Sequence, residues 1–352
     1  MWSAEEKSLL WLDSFLLEPL FKRALLEKAG GAVKLVKGFA AFEGEFSDKE
    51  SFLKMQESLQ DGSYFAVVKA RIESCGITPV FYGEKGYPTG WLSLRDAPVC
   101  LYAKGNLSLL EGRLFAVVGS RRTTAAVKQL GKTISQSLAK RFTIITGAAD
   151  GGDEAALSGA LTSGGAICFL AGGYDHAPKE NPLVAQAEGQ GLVIAASPMG
   201  TPVRVYSYEY RNKLLAAASE GVLVLSAAQK SGALITAAHA EKQGKKVFAI
   251  PYAPGSQTGE GCNALLKNGA FLTETADDIL VQYGMEGAIK VLPVLSETEQ
   301  KVLGVLSELG EAHVSQIASA TQIPAFKLTT VLASLEVKGA AVKTGGNRYV
   351  AV

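Results

Sequence analysis

The residue types best suited to chemistry first gather in Gly119-Ser120-Arg121-Arg122-Thr123-Thr124. Glycine lets a ligand approach the backbone, serine offers a hydroxyl, and a guanidinium presents a fork of donors that matches phosphate oxygens. Set between a strand and a helix, such a turn also faces free backbone N–H groups and the positive end of a helix dipole. The chemistry it suggests is phosphate binding by Gly119, Ser120, Arg121, Arg122 and Thr124. No Gly-Lys-Ser/Thr follows at Walker A spacing, and Gly151-Gly152-Asp153 does not supply a dinucleotide GxGxxG.

Four further groups join it. Gly147 opens a second turn. Arg211-Asn212-Lys213 follows the stretch Thr201–Tyr210, read as a polar loop carrying Tyr206, Tyr208 and Tyr210. Aromatic faces interleaved with basic groups hold single-stranded nucleic acid, and Tyr208 is the candidate for stacking; the alternative is that two of the three tyrosines pack the core. Ser231-Gly232-Ala233 opens a further helix, either as a second phosphate cradle or as an ordinary cap. Asn263 joins the candidate DNA-binding set, and Lys267 beside it either reaches phosphate or stays solvated. His176, His239 and His313 do not cluster with cysteines or carboxylates, and no Ser/His/Asp order stands out, so the sequence points to no metal site, no cofactor and no catalytic set.

The elements that must position these groups are legible from periodicity. Leu114–Val118 is a buried strand, Ala125–Lys140 a helix with apolar residues at Val127, Leu130, Ile134 and Leu138, and Phe142–Ile145 the next strand. Strand-like runs follow at Ala166–Leu170, Gly191–Ala196, Gly221–Leu225 and Lys246–Ile250, with helices between them. This alternation predicts a Rossmann-like, doubly wound, mostly parallel sheet over residues 61–280, of which 61–112 are a lead-in. Residues 1–60 read as a small (SAM-like) helical domain, with Ser3 and Glu6 in capping-box spacing. Residues 281–294 read as a linker. Residues 295–352 read as three helices and a hairpin turning at Thr344-Gly345-Gly346-Asn347, a winged helix.

Composition sets bounds. The chain has 352 residues, 47% hydrophobic and 20% charged, as expected of a globular protein with sizeable cores. Lys plus Arg number 35 against 34 acidic residues, so net charge is +1 and any basic surface must be local. Cys75, Cys100, Cys168 and Cys262 lie far apart without a CxxC pair, which predicts reduced, mostly buried thiols. No apolar run approaches the ~20 residues of a membrane span, and the N-terminus lacks a signal-peptide pattern. A cytoplasmic location is the expectation.

Taken together, ordered short motifs resemble the DNA-processing protein A (DprA, or Smf) family of bacteria. They are Tyr87-Pro88, Arg95-Asp96-Ala97-Pro98, Val118-Gly119-Ser120-Arg121, Thr146-Gly147 with Asp153-Glu154-Ala155-Ala156, Pro198-Met199-Gly200-Thr201-Pro202, Arg211-Asn212-Lys213, Ser231-Gly232-Ala233-Leu234-Ile235-Thr236-Ala237, and Gly261-Cys262-Asn263 with Lys267. The resemblance spans roughly residues 80–280. It implies single-stranded DNA binding, homodimerisation, and delivery of DNA to the RecA recombinase in natural transformation, with no catalytic activity. The sequence departs from the family pattern at Asp150 and Leu157, where Arg and His are usual, at Tyr208-Glu209 in place of Phe-Pro, and at Lys213 in place of Arg. An acid at 150 beside the pocket is expected to repel phosphate. The rival reading, a Rossmann-like nucleotide phosphoribohydrolase, needs a Gly-Gly-x-Gly-Thr loop that Gly172-Gly173-Tyr174-Asp175 does not supply.

Overall fold

Apolar, β-branched runs bounded by glycine become the inner strands, and the helices between them cover both faces. The computed structural model describes residues 2–177, 181–285 and 295–352. They fall into two units, one reaching Met285 and one containing 295–352.

The first unit opens with helices α1 (Ala4–Asp13), α2 (Pro19–Ala29), α3 (Ala32–Lys37), α4 (Lys49–Gln60) and α5 (Tyr64–Ser74). Ser3 and Glu6 form the expected capping box, and Gly30 ends α2 in a left-handed conformation, φ 71°. The helical region runs on to Ser74. Trp11 Nε1 donates to Ser58 Oγ at 2.8 Å, and Phe15 stacks on Tyr64 with centroids 5.7 Å apart, which ties α1 to the later helices. A buried pair, Lys22 Nζ to Asp13 Oδ1 at 2.8 Å, is joined by the Tyr102 hydroxyl donating to Asp13 Oδ2 at 2.8 Å. Tyr102 belongs to the sheet, and helices and sheet share one continuous core.

The sheet and its helices follow as β1 (Thr78–Phe81), β2 (Cys100–Gly105), β3 (Leu114–Gly119), α6 (Ala125–Leu138), β4 (Thr143–Thr146), α7 (Gly152–Leu161), β5 (Ala166–Gly173), α8 (Pro182–Gln190), β6 (Leu192–Ser197), α9 (Val205–Ala218), β7 (Gly221–Ser226), α10 (Gly232–Lys242), β8 (Lys246–Ala249), α11 (Glu260–Lys267), β9 (Phe271–Leu272) and α12 (Ala276–Val281). Strand order is β1-β2-β6-β5-β4-β3-β7-β8-β9. From β6 to β9 all neighbours are parallel, while β2 pairs antiparallel with β6 and β1 antiparallel with β2. The chain winds outward from β3 through β4, β5 and β6, then returns to lay β7 on the other side of β3. This doubly wound, Rossmann-like arrangement puts the topological switch between β3 and β7, where such sheets open a crevice at their carboxyl ends.

Two sequence expectations change. Thr201–Tyr210 is not a loop throughout: α9 begins at Val205. Ser207, Arg211, Leu214 and Leu215 fall on one buried helical face, and Ser207 Oγ accepts from the Arg204 N–H at 3.1 Å. Arg211-Asn212-Lys213 therefore lies in the second turn of that helix rather than at its start. The linker does not begin at 281 either. Val281 ends α12, and Tyr283 packs edge-on against Phe142 while its hydroxyl donates to Glu220 O at 3.1 Å. The rest of the expected linker, 286–294, lies outside the described residues.

The second unit contains α13 (Glu297–Leu309), β10 (Ala312–His313), α14 (Val314–Thr321), α15 (Ala325–Val337), β11 (Ala341–Gly345) and β12 (Arg348–Ala351), with antiparallel sheet order β10-β12-β11. Val302, Leu306, Ile317, Leu328 and Leu332 form its core. Glu299 ties the start of α13 to the end of α15: it accepts from Lys338 Nζ, Ser334 Oγ and the Ser296 N–H, each at 2.7 Å. The Lys338 ammonium first, then these hydrogen bonds, hold its carboxyl down at about 2, against an ordinary 4.5. A depressed carboxyl contributes stability that is present above its unfolded value and is lost as pH falls through the folded one. Glu299→Gln is therefore expected to loosen this unit at neutral pH and to flatten its pH dependence between about 5 and 2. Hydrogen exchange in α13 and α15 peptides measures this, and identical protection in variant and wild type at both pH limits contradicts it.

Candidate nucleic-acid interface

Close backbone approach builds the site. A Cβ added at Gly152 would lie 2.4 Å from Gly119 Cα, and one at Gly151 only 2.3 Å from Ser120 O. Gly151 also has φ 89°, which favours glycine. The turn after β4 is thereby pressed against the turn after β3. On the other side, the Ser120 N–H donates to Ser226 O at 2.9 Å and Ser226 Oγ at 3.0 Å, fixing the β3 turn to the end of β7.

Above these turns lie two adjoining recesses, of about 560 and 380 Å³, that share Arg121, Ala149, Tyr208 and Arg211 and so form one trough. The smaller recess sits at the switch point and is lined by Gly119, Ser120, Arg122, Asn212, Ser231 and Gly232. The larger one extends past Asp150 to Phe169, Leu170, His176, Asn181 and Pro182. Arg121 and Arg122 are exposed, and neither has a carboxylate within ion-pair distance among the described residues. The Arg121 guanidinium lies over the exposed Tyr208 ring, 5.6 Å from its centroid. A planar cation on an aromatic face leaves donors free at its edge and keeps the ring accessible from the side.

Beneath the trough a buried cation and a buried acid face each other across Gly147. Arg211 is 7% exposed; its Nη1 donates to Phe169 O at 2.9 Å and its Nε to Asn212 Oδ1 at 3.0 Å. Asn212 in turn donates to Gly232 O at 3.2 Å, which links α9 to the start of α10. Asp153 is the buried counter-charge and accepts from the Gly119 N–H at 3.1 Å. Burial pushes its carboxyl up, and the Arg211 guanidinium opposes that rise. Gly147 makes the meeting possible: a Cβ there would lie 2.1 Å from Arg211 Nη1 and 2.3 Å from Asp153 Oδ2.

Most of the residues singled out by sequence thus converge: Gly119, Ser120, Arg121, Arg122, Tyr208, Arg211, Asn212, Ser231 and Gly232 line the trough, with Gly147 beneath it. Four others stand apart. Thr124 caps α6, accepting from the Val127 N–H at 3.3 Å. Lys213 points to the opposite side, where Asp96 holds its ammonium with both oxygens at 2.5 and 2.6 Å. Asn263 closes a two-way amide clamp on Tyr252, bonding its N–H at 3.0 Å and its carbonyl at 2.9 Å. Lys267 is exposed in the last turn of α11, outside the trough. Ser231 serves as the ordinary helix cap, accepting from the Ala233 N–H at 3.3 Å, and also lines the trough. Sequence reasoning missed Asn181 and Phe169, and it held Asp153 only as part of a motif, without its role. Asp153 was visible in Asp150-Gly-Gly-Asp153 as an acid at a helix start, but its partner Arg211 is 58 positions away (211 − 153).

The Gly172-Gly173 edge does not open as a phosphate loop. The Gly173 N–H donates to Thr201 O at 2.9 Å, and a Cβ at Gly173 would meet Pro198 O at 2.5 Å, so the 198–201 turn covers it. Among the described residues no group of His, Cys, Asp or Glu could hold a metal ion, and no helix is long and apolar enough to cross a membrane.

Fold and trough together define a Rossmann-like protein with a cationic, non-Walker turn at its switch point. The chain belongs to the DNA recombination-mediator protein A family, whose pattern it matches over residues 78–284. It is 34% identical over 273 residues to a putative DNA processing protein DprA of Mycobacterium tuberculosis, covering 74% of this chain and 69% of that protein. Among solved structures it resembles DNA processing protein A of Streptococcus pneumoniae (TM-score 0.66, 28% identity, covering 80% of this chain and 98% of that one). It also resembles the Helicobacter pylori protein, described for its single-stranded DNA binding mode (TM-score 0.53, 28% identity, 59% and 95% covered).

The glycine contacts generate a prediction. Gly152→Ala would force a Cβ into Gly119, and this backbone cannot yield without separating the two turns. The variant is expected to lose about 2 kcal/mol of stability or more. Chemical denaturation checks this; a wild-type midpoint would show that the turns are not in contact.

Proposed function

We propose that the trough binds single-stranded DNA, and that the protein works as a recombination mediator that passes the strand to a RecA-type recombinase, as a homodimer in the cytoplasm. The observation that carries the reading is Arg121: an exposed guanidinium without a carboxylate partner among the described residues, set at the switch point and lying over the Tyr208 ring. One group can grip a backbone phosphate while the other offers a face to a base. The Helicobacter pylori relative, which shares the fold, is described as binding single strands. The net charge of +1 makes such a local cationic site the main source of attraction for a polyanion.

We read the second unit, ordered helix–strand–helix–helix–strand–strand, as a winged helix. Its bases Lys327, Lys338, Lys343 and Arg348 are offset by Glu297, Glu299, Glu308, Glu311 and Glu336, and we read it as a protein-contact module rather than a duplex reader.

In fluorescence anisotropy with an oligothymidylate, Arg121→Ala is expected to weaken binding by about tenfold at low salt and to flatten the slope of log affinity against log salt by about 0.7. Lys213→Ala, whose ammonium Asp96 already holds, is expected to change affinity by less than about twofold. Equal effects of the two substitutions would sink the assignment.

A further inference from the structure

Asp150 sets a problem that phosphate binding alone does not resolve. The Gly151 turn rests on the backbone of Ser120 and Arg121, with a would-be Cβ 2.3 Å from Ser120 O and 2.7 Å from Arg121 O. Asp150, which precedes Gly151, lines the larger recess together with Arg121. Its carboxylate is exposed and makes no hydrogen bond or ion pair among the described residues. The other carboxylate of that recess, Glu154, is already engaged by Lys128 Nζ at 2.8 Å and the Gly151 N–H at 3.1 Å. The Arg121 guanidinium turns to Tyr208 instead of Asp150.

A strand whose backbone rests on Arg121 and whose bases enter the larger recess, walled by Phe169, Leu170 and Pro182, would meet the Asp150 carboxylate with a base rather than a phosphate. An ionised carboxylate only accepts hydrogen bonds. Guanine offers two parallel donors on its pairing edge, N1–H and N2–H, that match the two oxygens. Cytosine and adenine each offer one amine. Thymine offers a single N3–H flanked by two carbonyl oxygens that a carboxylate repels. We propose that Asp150 is a base-selecting residue of this trough, favouring guanine and disfavouring thymine in the bound single strand. The inference rests on the single-stranded DNA reading above.

The test is anisotropy of the full-length protein with two oligonucleotides of about 20 nucleotides, longer than a ~4–16-nucleotide site. One is thymine throughout; the other carries single guanines spaced among thymines so that it cannot self-associate. Wild type is expected to bind the guanine-bearing strand roughly five- to tenfold more tightly. Asp150→Ala is expected to bind the thymine strand more tightly than wild type does, because repulsion is removed, while the ratio between strands falls to within about twofold. Asp150→Asn, which keeps one acceptor, should fall between. A wild-type ratio near one overturns the proposal. So does a ratio that survives Asp150→Ala while both affinities rise together, since Asp150 would then only repel phosphate. Failure of wild type to bind either strand removes the underlying reading, and this inference with it.

Discussion

The contact on which the site depends is that of Gly119 with Gly152. Two strand–helix turns, from neighbouring parallel strands, meet backbone to backbone with no room for a Cβ. That contact lets the Asp153 carboxylate reach the Gly119 N–H, and Asp150 and Arg121 line one recess. Turns held apart by side chains would leave a wider opening, with the cation and the recess no longer on one path. Rigid placement matters because a flexible single strand loses conformational freedom on binding, and a preformed trough does not add its own ordering cost.

Charge is distributed by depth. Buried Arg211 faces Asp153 across Gly147, half-buried Lys213 is held by Asp96, and exposed Arg121 and Arg122 are left without carboxylate partners. Buried charges must be matched or they destabilise the fold, whereas exposed ones are free to meet a ligand. In a chain of net charge +1, this layering leaves the recess at the switch point locally cationic, while Asp150 and Glu154 line the larger one.

Much of this was legible in the sequence, for identifiable reasons. Apolar strands and amphipathic helices carry their periodicity locally, so β3 and α6 lie where spacing placed them. The Gly-Ser-Arg turn was legible because its chemistry sits in consecutive residues. Pairings across the chain were not. Lys213 resembled its neighbours Arg211 and Asn212, but on a helix that begins at Val205 it leaves on another side and meets Asp96. The start of α9 was hidden because Tyr206, Tyr208 and Glu209 face outward and blur the helical period. Asn263 looked like a phosphate contact until the fold placed Tyr252 against it.

The central claim is that one trough, made from the turns after β3, β4 and β7 and the first turns of α9, receives a single strand. Hydrogen exchange with and without saturating oligothymidylate tests it most directly, because it reports every segment at once. Added protection is expected in peptides covering 119–122, 147–152, 205–212 and 231–236, with the rest of the first unit unchanged. Protection confined to other segments, or none at a concentration where anisotropy shows binding, would contradict the account.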